Sequence, residues 1–148
     1  MKSYGGIMDE TKLQMLVDRM EITDTSLKYA TGVDMRDKEL YRSCFTDEIE
    51  IDFTSMEIEG PKKISADEWV DQAFTLVGVY ESTQHIITNH VININGDEAT
   101  YEAYLQAQHY NADSIFTVGG YYSNKVVKTP EGWKICKLKL TSTWTQNT

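Results

Sequence analysis

Residues 82–94, STQHIITNHVINI, read as one long strand with a histidine, His85, set among apolar neighbours. Three further runs follow, separated by turn signals at Asn95-Gly96, at Asn111 to Ser114 and at Thr129-Pro130-Glu131-Gly132. Strands joined by such short connections pair with their neighbours in turn, so the second half of the chain is expected to be an antiparallel meander.

The register of that meander holds a conflict. A two-residue turn at Asn95-Gly96 pairs odd positions with even ones, which puts His85 and the histidine of the next strand, His109, on opposite faces. The apolar parity of the first strand also switches, from His85 and Ile87 to Ile92 and Ile94. One inserted residue repairs both. A β-bulge is therefore expected between Thr88 and His90, with His85, Ala107 and His109 on the concave side and His90 near the bulge or exposed.

The second strand sets Ala99, Tyr101, Ala103, Leu105, Ala107 and His109 on one face, where small alanines either leave room for a ligand or let helices pack close. The third offers Phe116, Val118, Gly120, Tyr122 and Asn124, and the fourth Cys136, Leu138, Leu140, Ser142 and Trp144, as cavity lining. The opposite faces carry Tyr104, Tyr110, Tyr121, Lys137 and Lys139, which suit a subunit interface or plain solvent.

Ahead of the strands the period is helical. With Asp9 available as N-cap, Leu13, Leu16, Val17, Met20, Leu27 and Ala30 recur at helical spacing, as one helix or two in tandem. Asp34 falls on the same face, where a carboxylate needs a partner or a raised pKa. The alternative is that Gly32 ends the helix and Asp34 caps a short helix from Asp37 to Phe45. Residues 48–53, EIEIDF, alternate as a strand with Ile49, Ile51 and Phe53 inward and Glu48, Glu50 and Asp52 toward solvent. After the break at Gly60-Pro61, a capping box from Ser65 to Glu68 opens a helix that buries Trp69, Val70, Ala73, Phe74 and Val77 as a wall or lid. Helices first and a long curved sheet after them make an α+β arrangement, with the sheet wrapping the helices around a cavity.

At 148 residues the chain fits a single domain, 1–148, and a net charge of −9 argues against nucleic acid or an anionic membrane surface as partner. A small organic ligand is the expected partner. The opening MKSYGGIMDE lacks the apolar core of a secretory signal, and the expected location is the cytoplasm. Cys44 and Cys136 read as two reduced thiols, and no zinc spacing, phosphate loop or nucleophile elbow is present, so neither metal nor cofactor is expected.

The stretches YATGVDMRDKELYRSCFTDEIEIDF, TQHIITN, QAQHY and GGYYSNKVVKTPEGWKI, with the GD turn and the closing Trp144, resemble the nuclear transport factor 2-like superfamily. The resemblance is to its SnoaL-like branch, which contains scytalone dehydratase and lindane dehydrochlorinase. It implies a cone-shaped α+β barrel in which an aspartate on the first helix bonds a strand histidine, and that histidine removes a proton as water or halide departs. By position Asp34 and His85 correspond to that pair, and His109 resembles the dehydratase's second active-site histidine, able with Tyr122 or Asn124 to donate to a developing enolate oxygen. Val33 and Phe53 stand where the dehydratase has tyrosines, and Gly120 and Tyr122 where it has serine and asparagine. Tyr29 is the nearest hydroxyl on the helix that can substitute. None of Arg19, Arg36 and Arg42 is placed by the sequence in the role of the dehydrochlorinase's pocket arginine.

The expected function is a cofactor-independent lyase or isomerase acting on a small hydrophobic, cyclic or polyketide-like substrate. Asp34, His85 and His109 are its expected catalytic residues. Tyr29, Val33, Phe53, Trp69, Tyr101, Leu105, Phe116, Tyr122, Asn124 and Trp144 are the expected substrate contacts. The competing readings are a non-catalytic ligand-binding or dimerisation module and an oxygenase small-subunit-like scaffold. A homodimer or homotrimer through the outer sheet face is expected in either case.

Overall fold

The computed structural model describes residues 9–58 and 60–148. The reading of the N-terminus as free of a secretory signal lies largely outside these residues. Three helices, α1 (Glu10–Asp34), α2 (Lys38–Ser43) and α3 (Ala66–Val77), pack against six strands. These are β1 (Phe45–Asp52), β2 (Lys62–Ser65), β3 (Ser82–Asn95), β4 (Glu98–Asn111), β5 (Ser114–Thr129) and β6 (Gly132–Asn147). They form one open sheet in the order β2-β1-β6-β5-β4-β3, antiparallel throughout except where β1 lies parallel to β6. The expected meander is β3 to β6. β2, a four-residue strand, is an addition that the sequence pattern did not show.

Local signals set the helix ends. Asp9 accepts the amide of Lys12, Asp37 that of Leu40 and Ser65 that of Glu68, so each helix starts on a side-chain cap. With Asp37 capping α2, α1 continues through Asp34, and the alternative in which Gly32 stops it does not occur. A Cβ on Gly32 would stand 2.7 Å from the Tyr41 amide nitrogen, so glycine here lets α2 lie directly on α1.

The bulge forms where the parity argument places it. Thr88 pairs with Tyr104 but Val91 with Glu102, so Asn89 and His90 together face Ala103, and Asn89 adopts φ 59°. The slip sets His85 opposite Ala107 and returns His109 to the same concave face.

The apolar stripe expected on α1 is a correction. Leu13, Leu16, Val17, Met20 and Leu27 are exposed, and the buried stripe is Asp18, Ile22, Thr25, Ser26, Tyr29, Ala30 and Val33. Its polar members are buried because each is paired. Asp18 accepts from Trp133 Nε1 at 3.0 Å and Lys128 Nζ at 3.1 Å, Thr25 donates to the Trp133 carbonyl, and Ser26 meets His90 Nε2 at 2.8 Å.

The expected β6 lining is also corrected. The β5–β6 register shifts between Gly119 and Gly120 and again between Lys125 and Val126. Each shift reverses which side chains face inward. Trp133, Ile135, Leu138 and Leu140 are buried, Cys136 and Ser142 are only half-buried, and Trp144 is 45% exposed with its indole laid over Gly119 on the outer face.

Candidate active site

The last turn of α1 delivers Asp34 to the start of β3. Its Oδ1 lies 2.7 Å from His85 Nδ1 and accepts the Thr83 hydroxyl at 3.0 Å, while Oδ2 accepts the His85 amide at 2.6 Å. Burial pushes the Asp34 carboxyl upward. The His85 ring and amide and the Thr83 hydroxyl outweigh it, so the carboxyl titrates below its ordinary value and stays ionised. A carboxylate only accepts, so Nδ1 carries the ring proton and Nε2 is left with a lone pair.

The His85 ring borders a cavity of about 150 Å³ bounded by α1, α3 and the concave face of the sheet. Its walls are mostly apolar. Tyr29, Val33, Phe53, Trp69, Leu105, Phe116 and Tyr122 line it as expected, together with His85 and His109. Three expected contacts are not there. Tyr101 and Asn124 are buried elsewhere, with Asn124 Nδ2 donating to the Tyr101 hydroxyl at 2.9 Å and Asn124 Oδ1 accepting the Lys139 amide, and Trp144 is on the outer face. Asp34 itself does not line the cavity but borders a separate groove with Thr31, Ser82, Gln84 and Gln108.

His109 stands edge-on to His85, ring centroids 5.6 Å apart, with the Tyr80 ring 5.0 Å away. Its Nδ1 is 3.0 Å from the Phe116 carbonyl, which only accepts, so Nδ1 carries the proton. Burial, opposed by the Phe116 carbonyl and reinforced by His85, holds the ring below its ordinary pKa. A neutral His109 in this tautomer offers the cavity an acceptor at Nε2.

The hydroxyls of Tyr29 and Tyr122 lie 3.2 Å apart in the cavity wall, and Trp69 Nε1 donates to the Tyr41 hydroxyl at 3.1 Å. Burial pushes all three tyrosines well above their ordinary pKa, so they remain protonated. Among the described residues, no group of three or more His, Cys, Asp or Glu side chains is placed to hold a metal ion. No helix among them is long and apolar enough to cross a membrane.

Residues 14–139 match the SnoaL-like domain family. The chain belongs to that family. Its structural relatives share the fold over nearly the whole chain. A crystallised protein from Kribbella flavida is 30% identical with a TM-score of 0.86, covering 89% of this chain and 95% of its own. The hexachlorocyclohexane dehydrochlorinase of Novosphingobium barchaimii is 18% identical with a TM-score of 0.79, covering 93% and 94%. An uncharacterised protein of Mycobacterium tuberculosis is 23% identical over 136 residues, covering 88% of this chain and 90% of that protein. The SnoaL-like fold therefore includes a dehydrochlorinase among its members, and at such identity the likeness establishes the fold alone.

Several residues of this SnoaL-like site gave no signal in the sequence. Tyr41, Met56, Ile58, Leu76 and Tyr80 line the cavity, and Thr83 and Arg36 support the dyad from behind. Arg19 instead donates to the Ile92 carbonyl, and Arg42 pairs with Asp47 and Asp67 on the surface.

Proposed function

We propose that the chain is a cofactor-independent lyase or isomerase in which His85 Nε2 removes a proton from a small uncharged substrate. The observation that carries this reading is the 2.7 Å contact between Asp34 and His85 Nδ1 at the wall of a mostly apolar cavity. An ionised carboxylate on one ring nitrogen makes the other a better base and stabilises the imidazolium that forms. Its cost as a charge near an apolar space is offset by three hydrogen bonds.

The tyrosines supply the complementary donor. Trp69 Nε1 only donates, so the Tyr41 proton is free to point toward Tyr29, and in the same direction the Tyr122 proton is free to point into the cavity. As the C–H bond breaks at His85, its electron pair passes to a carbonyl oxygen held by Tyr122. Collapse of that enolate expels halide, or expels the β-hydroxyl as water with the proton that His85 has taken, while return of that proton to another carbon gives the isomer. His109 Nε2 accepts the O–H of the substrate's hydroxyl and so orients it in the cavity before it leaves. A volume near 150 Å³ holds one six-membered ring with small substituents, not a fused polycycle.

A purely structural dimerisation module would have Phe53, Trp69, Phe116 and Trp144 filling the space beside His85. Trp144 lies outside the cavity and the volume remains unfilled, which favours a small-molecule site over that role, and the Asp34–His85 contact favours catalysis over ligand binding alone. The test is turnover of single-ring β-hydroxy and β-halo ketones. His85→Ala is expected to lower kcat by about 10²–10⁴-fold, and turnover unchanged by that substitution would end the assignment.

A further inference from the structure

Arg36 follows α1 by two residues and holds φ 56°, a left-handed conformation that a long side chain adopts at a cost. That backbone turns its guanidinium back beneath the dyad. One terminal nitrogen donates to the Val33 carbonyl at 2.7 Å and the Thr83 hydroxyl at 2.9 Å; the other donates to the Val77 carbonyl at 3.1 Å and the Tyr80 carbonyl at 3.4 Å. All four acceptors are neutral oxygens.

Two features of this placement bear on the site. Val33 and Val77 belong to the last turns of α1 and α3, and neither turn has a basic residue of its own. The partly negative ends of two helices therefore converge beside His85 and His109, and Arg36 is the cation that meets them. The second feature is directional. A guanidinium only donates, so the Thr83 oxygen receives from Arg36 and its single proton is left for Asp34 Oδ1, 3.0 Å away.

We propose that Arg36 is a positioning residue for the dyad, cancelling the negative ends of α1 and α3 and fixing, through Thr83, the rotation of the Asp34 carboxylate against His85. The same side chain ties Tyr80, which packs on His109, to the end of α1, so the two histidines share one support. The proposal rests on the dyad reading, yet it can fail separately from it.

Three readouts by NMR and calorimetry test it without a substrate: the His85 Nδ1 proton resonance, the titration midpoint of His109, and the melting temperature. His109 is faced by Asp34 and Arg36 from the end of α1, by His85 from β3 and by Tyr80 from the loop after α3. Asparagine tolerates the left-handed backbone, so Arg36→Asn removes the cation with little strain. Removing a nearby positive charge makes protonation easier, so the His109 midpoint is expected to rise and the His85 proton to move. Arg36→Lys should return the midpoint most of the way. Thr83→Val should move the His85 proton and Thr83→Ser should not, a comparison that stands even if Arg36→Asn does not fold. A lower melting temperature with both histidine signals at their wild-type positions would make Arg36 an architectural residue and overturn the proposal. Asp34→Asn separates the two ideas: if it leaves the His85 proton unmoved, the dyad reading fails first.

Discussion

Asp34 and His85 meet twice: one carboxylate oxygen lies 2.7 Å from the ring Nδ1, and the other takes the amide of the same residue at 2.6 Å. This double contact fixes the strand and the ring to the helix end together, so the pair has a stability signature as well as a catalytic one. Because the folded carboxyl titrates below its ordinary 3.8, its contribution is complete above that value and is lost as pH falls through the lower folded one. Asp34→Asn is expected to cost roughly 1–3 kcal/mol at pH 7. Urea unfolding should show this gap closing at pH values under the ordinary carboxyl pKa. A gap that persists unchanged to the lowest pH at which both proteins fold would mean the carboxylate charge is not what stabilises the pair.

Tyr122 is expected to recognise oxygen, not ring shape. Phenol offers an enolate-like oxygen on a ring that suits the cavity, and chlorobenzene offers the ring without the oxygen. Tyr122→Phe should weaken phenol binding about tenfold, the loss of one hydrogen bond near 1.4 kcal/mol, and leave chlorobenzene binding close to wild type. Calorimetric titration of both ligands checks this. Equal losses for the two would show that the tyrosine acts by shape.

The bulge was legible because it follows from counting, whereas the helical spacing left Asp34 open and the pairing with His85 came only from the family resemblance. A two-residue turn and a switch of apolar parity between Ile87 and Ile92 admit one repair, and Asn89 and His90 supply it. The inward face of α1 was not legible, since Asp18, Thr25 and Ser26 read as solvent-facing until Trp133 and His90, distant in sequence, provide their partners. Trp144 was misplaced because a one-residue slip at Gly119-Gly120 reverses the strand, and a glycine pair alone does not say where a bulge falls. Arg36 and Thr83 carry no pattern at all: their place depends on two helix ends converging in space.

Gly32 should be intolerant of any side chain. An added Cβ meets the amide nitrogen of Tyr41 at 2.7 Å and its Cα at 2.9 Å, both backbone atoms that cannot rotate away. Gly32→Ala is expected to force α2 off α1 and destabilise by about 1–3 kcal/mol despite the better helix propensity of alanine. Tyr41 lines the cavity from α2, so phenol affinity should fall with stability. Thermal unfolding together with the phenol titration checks both, and a stabilised Gly32→Ala protein would show that the helices have room to part.

The outer sheet face is the surface on which we expect a second copy of the chain to sit. Ile86, Tyr104, Tyr121 and Trp144 border one shallow depression there, and Tyr104 is 61% exposed at its centre, across β4–β5 from Tyr121. Exposed aromatic and branched apolar groups gathered on one sheet face favour association over solvation, and tyrosine and tryptophan are the residues that interfaces select. Sedimentation of the wild-type chain should therefore report a dimer or trimer. Tyr104→Glu, which places a charge at the middle of the patch without touching the cavity, should shift the equilibrium to monomer by at least about tenfold in dissociation constant, as expected for loss of a central aromatic contact. Its fold and phenol affinity should stay at wild-type values. A wild-type chain that sediments as a monomer at all concentrations, or an oligomer that Tyr104→Glu leaves intact, would move the interface elsewhere, and the exposed Leu13, Leu16 and Met20 on α1 would be the next surface to alter.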